Sequence, residues 1–212
     1  MEVIPFYGAQ DPQTFAIERA AMDRPGLVIA ALDSILADSR LVVDVGAGDG
    51  HTAERLSRPG RQVVAAEPAA GMRRPDKALL WLGAAAQALP MRDASVDGAY
   101  ATWAYFFSRD WDPTPGLREL HRTVKRGHPI AIVENLGGDE FSSLTDRPIN
   151  ADPTVWERHG FVCQDINTAF EFDSARDAEV LLTLYFGPSP AHRQRLRLSY
   201  RVGIFTTQSK GP

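Results

Sequence analysis

The sequence predicts an α/β chain built on a doubly wound, mostly parallel sheet preceded by helices. Three observations carry this. The β-branched run Leu41 to Val45 feeds the glycine-rich turn Gly46-Ala47-Gly48-Asp49-Gly50, and a helix, Thr52 to Leu56, follows. Short apolar runs then alternate with helical or breaker-rich stretches as far as Asn135. The final run, Arg195 to Ile204, instead alternates polar and apolar with period two, as a half-buried antiparallel strand at a sheet edge would.

Each element has a local reason. Asp11 is placed to cap a helix over Pro12 to Met22, which Arg24-Pro25-Gly26 ends. A second helix, Leu27 to Ala37, is apolar over most of its circumference, so it should be well buried. After the first strand and its helix come a second strand, Gln62 to Ala66, ending in Glu67, and a short helical piece, Pro68 to Arg74. The third and fourth strands are Ala78 to Leu82 and Val96 to Thr102. Thr114 should cap the next helix, with Pro115 at its first position and Leu117, Leu120 and Val124 on one face. The fifth strand is Pro129 to Val133, ending at Glu134-Asn135. The stretch from Leu136 to Asp152 is polar and rich in breakers and reads as a mobile loop or lid. A helical turn at Thr154 to His159, a sixth strand at Phe161 to Phe172 and a helix capped by Ser174 and reaching Phe186 precede the closing strand.

Composition removes several functions. The chain has 212 residues, 44% of them hydrophobic, which suits one domain. Its formal net charge of −4 leaves no basic footprint for nucleic acid or for a membrane surface. Cys163 is the one cysteine, and the five histidines are scattered, so no metal site is expected. No signal segment or bilayer-length apolar stretch is evident, and a cytoplasmic protein is the expectation.

The glycine spacing narrows the ligand. A dinucleotide turn reads Gly-x-Gly-x-x-Gly, and His51 stands where its third glycine would be needed. Asp44-Val45-Gly46-Ala47-Gly48-Asp49-Gly50 instead resembles the first motif of class I S-adenosylmethionine-dependent methyltransferases, of the small-molecule, type 11-like kind. Leu89-Pro90, Asp93, Ser95 and Asp97 align with a second family segment, and the element order from Leu41 to about Thr206 follows the same family. The resemblance implies a Rossmann-like, seven-stranded, mostly parallel sheet with an antiparallel C-terminal strand. It also implies a division into an N-terminal helical cap (1–40), a cofactor-binding half (41–135) and an acceptor-side half (136–212).

By the same resemblance, Asp44, Gly46, Ala47 and Gly48 would hold the methionine end of S-adenosyl-L-methionine, Glu67 the ribose, and Met72, Ala86 and Gln87 the adenine. Pro68, Thr102 and Trp103 complete the cofactor contacts, and Tyr7, Trp103, Tyr105 and Asn135 are candidates to line the acceptor site. Glu67 also fits on chemical grounds, since a carboxylate accepts from two vicinal hydroxyls at once. One departure stands out: Ala85 occupies the position of an acid that commonly binds the adenine amino group, so Gln87 or a backbone carbonyl would take over. The expected partner is a small-molecule methyl acceptor, with no nucleic acid, no membrane and no metal. No catalytic base is evident; Asp139 or Glu140 could reach in from the loop, although solvated loop acids are the simpler reading. The alternatives are a non-catalytic cofactor-binding protein and an NAD-binding oxidoreductase.

Overall fold

The computed structural model describes residues 7–107, 112–146 and 150–212, with the side chains of Tyr7 and Phe107 outside that description. Its centre is a seven-stranded sheet in the order β3-β2-β1-β4-β5-β7-β6. The strands are β1 (Leu41–Val45), β2 (Gln62–Ala66), β3 (Leu80–Leu82), β4 (Gly98–Thr102), β5 (Pro129–Asn135), β6 (Val162–Glu171) and β7 (Arg197–Gln208). β1 to β5 run parallel, and β7 pairs antiparallel with both β5 and β6. Chain order reverses on either side of β1, between β2 and β4, so a crevice opens there beyond the strand ends.

Alternation along β5 divides the core into two layers. Ile130 and Ile132 join Val43, Ala99, Leu117 and Leu120 on one face, while Ala131 and Val133 join Val42, Leu32, Leu56 and Leu181 on the other. Helices α1 (Pro12–Ala21), α2 (Leu27–Ile35), α3 (His51–Leu56) and α6 (Ala175–Phe186) contribute to the second layer, and α4 (Thr114–Thr123) and α5 (Pro153–Arg158) to the first. Among the described residues, no helix is long and apolar enough to cross a membrane.

Several local expectations hold. Asp11 caps α1 by accepting the Thr14 N–H, and Ser174 caps α6 by accepting that of Asp177. Others are corrected. The C-terminal strand is interior, not an edge: β7 lies between β5 and β6, and β6 is the edge, with Val162 72% exposed. Within α2 only Val28 and Leu32 are buried, and Leu27 is 41% exposed, because the helix lays one side on the sheet and turns the other to water. Thr114 is the first residue of α4 and not its cap. Pro113 and Pro115 lack N–H groups, and the Asp112 carboxylate takes the Thr114 N–H at 2.9 Å. Residues 68–74 form a turn, not a helix, since Glu67 draws in the Ala69 N–H and Met72 N–H closes back on the Ala69 carbonyl. β3 and β4 are also shorter at their starts than expected.

Of the stretch expected to form a loop or lid, residues 136–141 are hydrogen-bonded to β7, because of that strand's length, and 147–149 lie outside the described residues. β5 covers β7 only from Val202 onward, which would leave the earlier edge of β7 unpaired. The loop pairs it instead. Leu136 N–H donates to the Arg201 carbonyl, Phe141 N–H to the Ser199 carbonyl, and the carboxylates of Asp139 and Glu140 accept the Arg201 and Ser199 N–H groups.

Arg61 joins the sheet to α2. Its guanidinium is buried and donates to the carbonyls of Leu36 (2.6 Å), Ser39 and Asp33 (both 3.3 Å) and to the Asp33 carboxylate. Arg61→Ala leaves those carbonyls without a donor and should lower stability by about 3 kcal/mol in urea unfolding. Arg61→Lys should recover little, because one ammonium cannot reproduce the fork.

Candidate functional site

The glycine turn docks on the end of β2. Gly46 and Ala47 N–H groups both donate to the Ala66 carbonyl, at 2.8 and 3.1 Å, and Gly50 N–H donates to the Ala47 carbonyl. Gly46, Gly48 and Gly50 all adopt left-handed backbone, with φ of 77°, 57° and 77°. Their surroundings differ. A Cβ on Gly46 would lie 2.3 Å from the Ala104 Cβ, and one on Gly50 2.6 Å from the Leu79 Cδ1. A Cβ on Gly48 would meet only side-chain tips, the nearer being the Met72 Cε at 3.5 Å. The outer glycines are therefore required by packing, and Gly48 keeps the wall of a cavity bare.

That cavity holds about 450 Å³ beyond the carboxyl ends of β1 and β4. Of the residues expected at the site, the fold brings Gly46, Ala47, Gly48, Glu67, Pro68, Met72, Ala86, Gln87, Thr102, Trp103, Tyr105 and Asn135 to its wall. Asp44 is not on the wall. It lies beneath the turn, fully buried, and the Tyr100 hydroxyl donates to its Oδ2 at 3.0 Å while Oδ1 has no partner. The Tyr7 side chain lies outside the described residues. Phe106 packs edge-on against Trp156 in the core. Asp139 and Glu140 are tied to β7 as described, and Asp139 also accepts the Ser142 N–H.

One end of the cavity has the features of a nucleoside site. Glu67 Oε2 accepts the Gly48 N–H at 2.9 Å and Oε1 the Ala69 N–H at 2.8 Å. Burial raises the proton affinity of this carboxyl, and the two N–H donors oppose that shift. A carboxylate offers about four lone-pair sites, so two remain for hydroxyl donors. Ala84, Ala85 and Ala86 form a buried apolar strip, Met72 is buried on the wall, and the Gln87 Oε1 is a buried acceptor with no partner. His51 also lines this end. Its Nδ1 lies 3.0 Å from an Arg55 guanidinium nitrogen, and burial, with Arg19 and Arg55 adding, brings its pKa down to about 4. His51 is thus neutral at pH 7 and carries its proton on Nε2.

The other end is aromatic. Trp103, held at a φ of 45°, donates its Nε1–H to the Asn135 Oδ1 at 2.9 Å, and the Tyr200 hydroxyl donates to the same oxygen. The Trp103 and Tyr200 rings stack at 6.4 Å, and Phe141 stacks on Phe170 at 4.2 Å. Glu18 and Arg19 reach the wall from α1. Sequence reasoning missed Glu18, Phe141, Phe170 and Tyr200. Each lies on an element whose place over the crevice is set by pairing distant in the chain, and period-two alternation marks Tyr200 only as facing inward.

This fold, with a glycine turn and a carboxylate flanking the switch point, resembles that of the class I S-adenosylmethionine-dependent methyltransferases. Residues 43–132 match the family model described as "Methyltransferase domain". An uncharacterized methyltransferase of Mycobacterium tuberculosis is 32% identical over 117 residues, covering 53% of this chain and 47% of that protein. The malonyl-(acyl-carrier protein) O-methyltransferase 1 of Coxiella burnetii is 28% identical over 176 residues, covering 80% of this chain and 59% of that protein. The chain thus spans about half the length of these curated relatives. The YcgJ protein of Bacillus subtilis superimposes with a TM-score of 0.53 at 18% identity, covering 85% of this chain and 95% of that one, a likeness of fold.

Asp44 gives the site a pH signature. Burial raises its pKa from 3.8 to about 7, against the Tyr100 hydrogen bond. The native state therefore binds a proton that the unfolded chain has released, so this group's contribution to stability falls as pH rises from about 4 to about 7 and is level above. Asp44→Asn, which cannot ionise, should flatten that part of the profile in denaturant titrations at a series of pH values.

Proposed function

We propose that this protein transfers a methyl group from S-adenosyl-L-methionine to a small-molecule acceptor by in-line displacement. The observation that carries the reading is the Glu67 carboxylate. It is buried at the end of β2 and tied to the Gly48 and Ala69 N–H groups, with lone pairs left for a ribose diol. Gly48, with nothing but side-chain tips above it, admits close approach to the backbone, and the Gln87 Oε1 supplies the buried acceptor that an adenine amino group needs. When bound, the cofactor supplies an activated methyl group, so no covalent nucleophile is required of the protein.

The chain's own work is to bind, orient and exclude water. Trp103 and Tyr200 are locked to one amide oxygen, so the acceptor chamber has a rigid wall. Phe141 and Phe170 extend that wall as apolar surface. Tyr200 is poorly suited to act as a base, since burial first, and then the neighbouring carboxylates, hold its hydroxyl well above the usual range.

Isothermal titration with S-adenosylhomocysteine tests the reading. Wild type should bind it and not NADH. Glu67→Ala should weaken binding by about 10- to 100-fold, the equivalent of hydrogen bonds to a charged group. Gly48→Arg should abolish it. Unchanged affinity in both variants overturns the assignment of this end of the cavity.

A further inference from the structure

We infer that the aromatic end of the cavity takes an aryl-alkyl amine as acceptor, its flat body against the Trp103, Tyr200, Phe141 and Phe170 rings and its nitrogen at the Glu18 carboxylate. This rests on the methyltransferase reading above and specifies its acceptor.

The argument starts from α1. Glu18 and Arg19 are consecutive, so they leave the helix about 100° apart. Both reach the cavity wall. Arg19 sits over the Phe15 ring at 4.7 Å and lines, with Met22, His51, Thr52, Thr102 and Trp103, both this cavity and the one adjoining it. Its charge acts on His51 and Asp44, beside the glycine turn. Glu18 is only 8% exposed, and its charge acts on Tyr200. The backbone agrees with that placement. One turn beyond Glu18, Met22 pairs with Phe170 and Asp23 N–H donates to the Ala169 carbonyl, which lays the end of α1 across β6 at the aromatic wall.

Glu18, buried on a wall it shares with four aromatic rings, sets the charge beside them, and its carboxylate, with that of Asp139, acts on the Tyr200 hydroxyl. Such surroundings favour a nitrogen that carries or gains positive charge and disfavour a carboxylate or phenolate acceptor. Ring faces attract the same cation. The Trp103 N–H and the Tyr200 O–H are both spent on Asn135 Oδ1, so neither is left to donate to the acceptor. A carboxylate accepts several donors, so Glu18 can take an N–H of the acceptor in addition to its contacts within the protein.

The test is calorimetric and needs no turnover. Protein saturated with S-adenosylhomocysteine is titrated with 2-phenylethylamine, 2-phenylethanol and phenylacetate. The amine should bind about tenfold or more tighter than the alcohol, as one charge-assisted hydrogen bond implies, with phenylacetate weakest. Glu18→Gln should reduce the preference to within about twofold and Glu18→Asp should retain it. Equal or tighter binding of the alcohol or the acid, absence of saturable amine binding, or a preference that survives Glu18→Gln would each overturn the proposal. The comparison on wild type stands even where a variant folds poorly. If S-adenosylhomocysteine itself does not bind, it is the methyltransferase reading that fails.

Discussion

The site depends on one buried carboxylate. Glu67 ends β2 and accepts the N–H of Gly48 from the turn after β1 and of Ala69 from the turn after itself. The first two N–H groups of the glycine turn, from Gly46 and Ala47, are taken by the Ala66 carbonyl one residue earlier. The turn is thereby fastened to the end of the neighbouring strand, and the N–H groups of all three glycines in left-handed backbone have acceptors. The same carboxylate faces the cavity. One group thus both holds the turn and faces the cavity; burial makes it reluctant to ionise, and its two N–H donors oppose that shift.

The aromatic end of the cavity is built by a different constraint, the excess length of β7. That strand runs from Arg197 to Gln208, yet β5 pairs with it only from Val202 onward. The uncovered edge recruits residues 136–141, through two backbone N–H donors and the carboxylates of Asp139 and Glu140. Pairing at Phe141 sets its ring against Phe170 and edge-on to Tyr200 and Phe186. Rings from the loop, β6, β7 and α6 thus meet at the cavity end above Asn135, which ties Trp103 and Tyr200 together from the end of β5.

α1 closes this arrangement. Asp23, just past the helix, accepts the Leu27 and Val28 N–H groups that open α2 and the Thr168 hydroxyl of β6. The helix is therefore anchored to the next helix and to the sheet edge together. With that anchor set, Glu18 and Arg19 both reach the wall of the cavity from α1.

The sequence by itself determined the glycine turn and the strands that flank it. The run Leu41 to Val45, the glycines at 46, 48 and 50 and the acid at 67 are local signals, because backbone sterics, strand period and turn geometry are properties of neighbouring residues. Cap signals such as Asp11 and Ser174 are legible for the same reason. Tertiary structure alone decided the rest. It placed Asp44 beneath the turn, away from the cavity, since strand parity points it at Tyr100. It made β7 interior, converted part of a polar, breaker-rich stretch into a pinned edge, and gathered Glu18, Phe141, Phe170 and Tyr200 around Asn135. Those residues lie far apart in the chain, and what brings them together is long-range strand pairing, whose register no local pattern of side chains specifies.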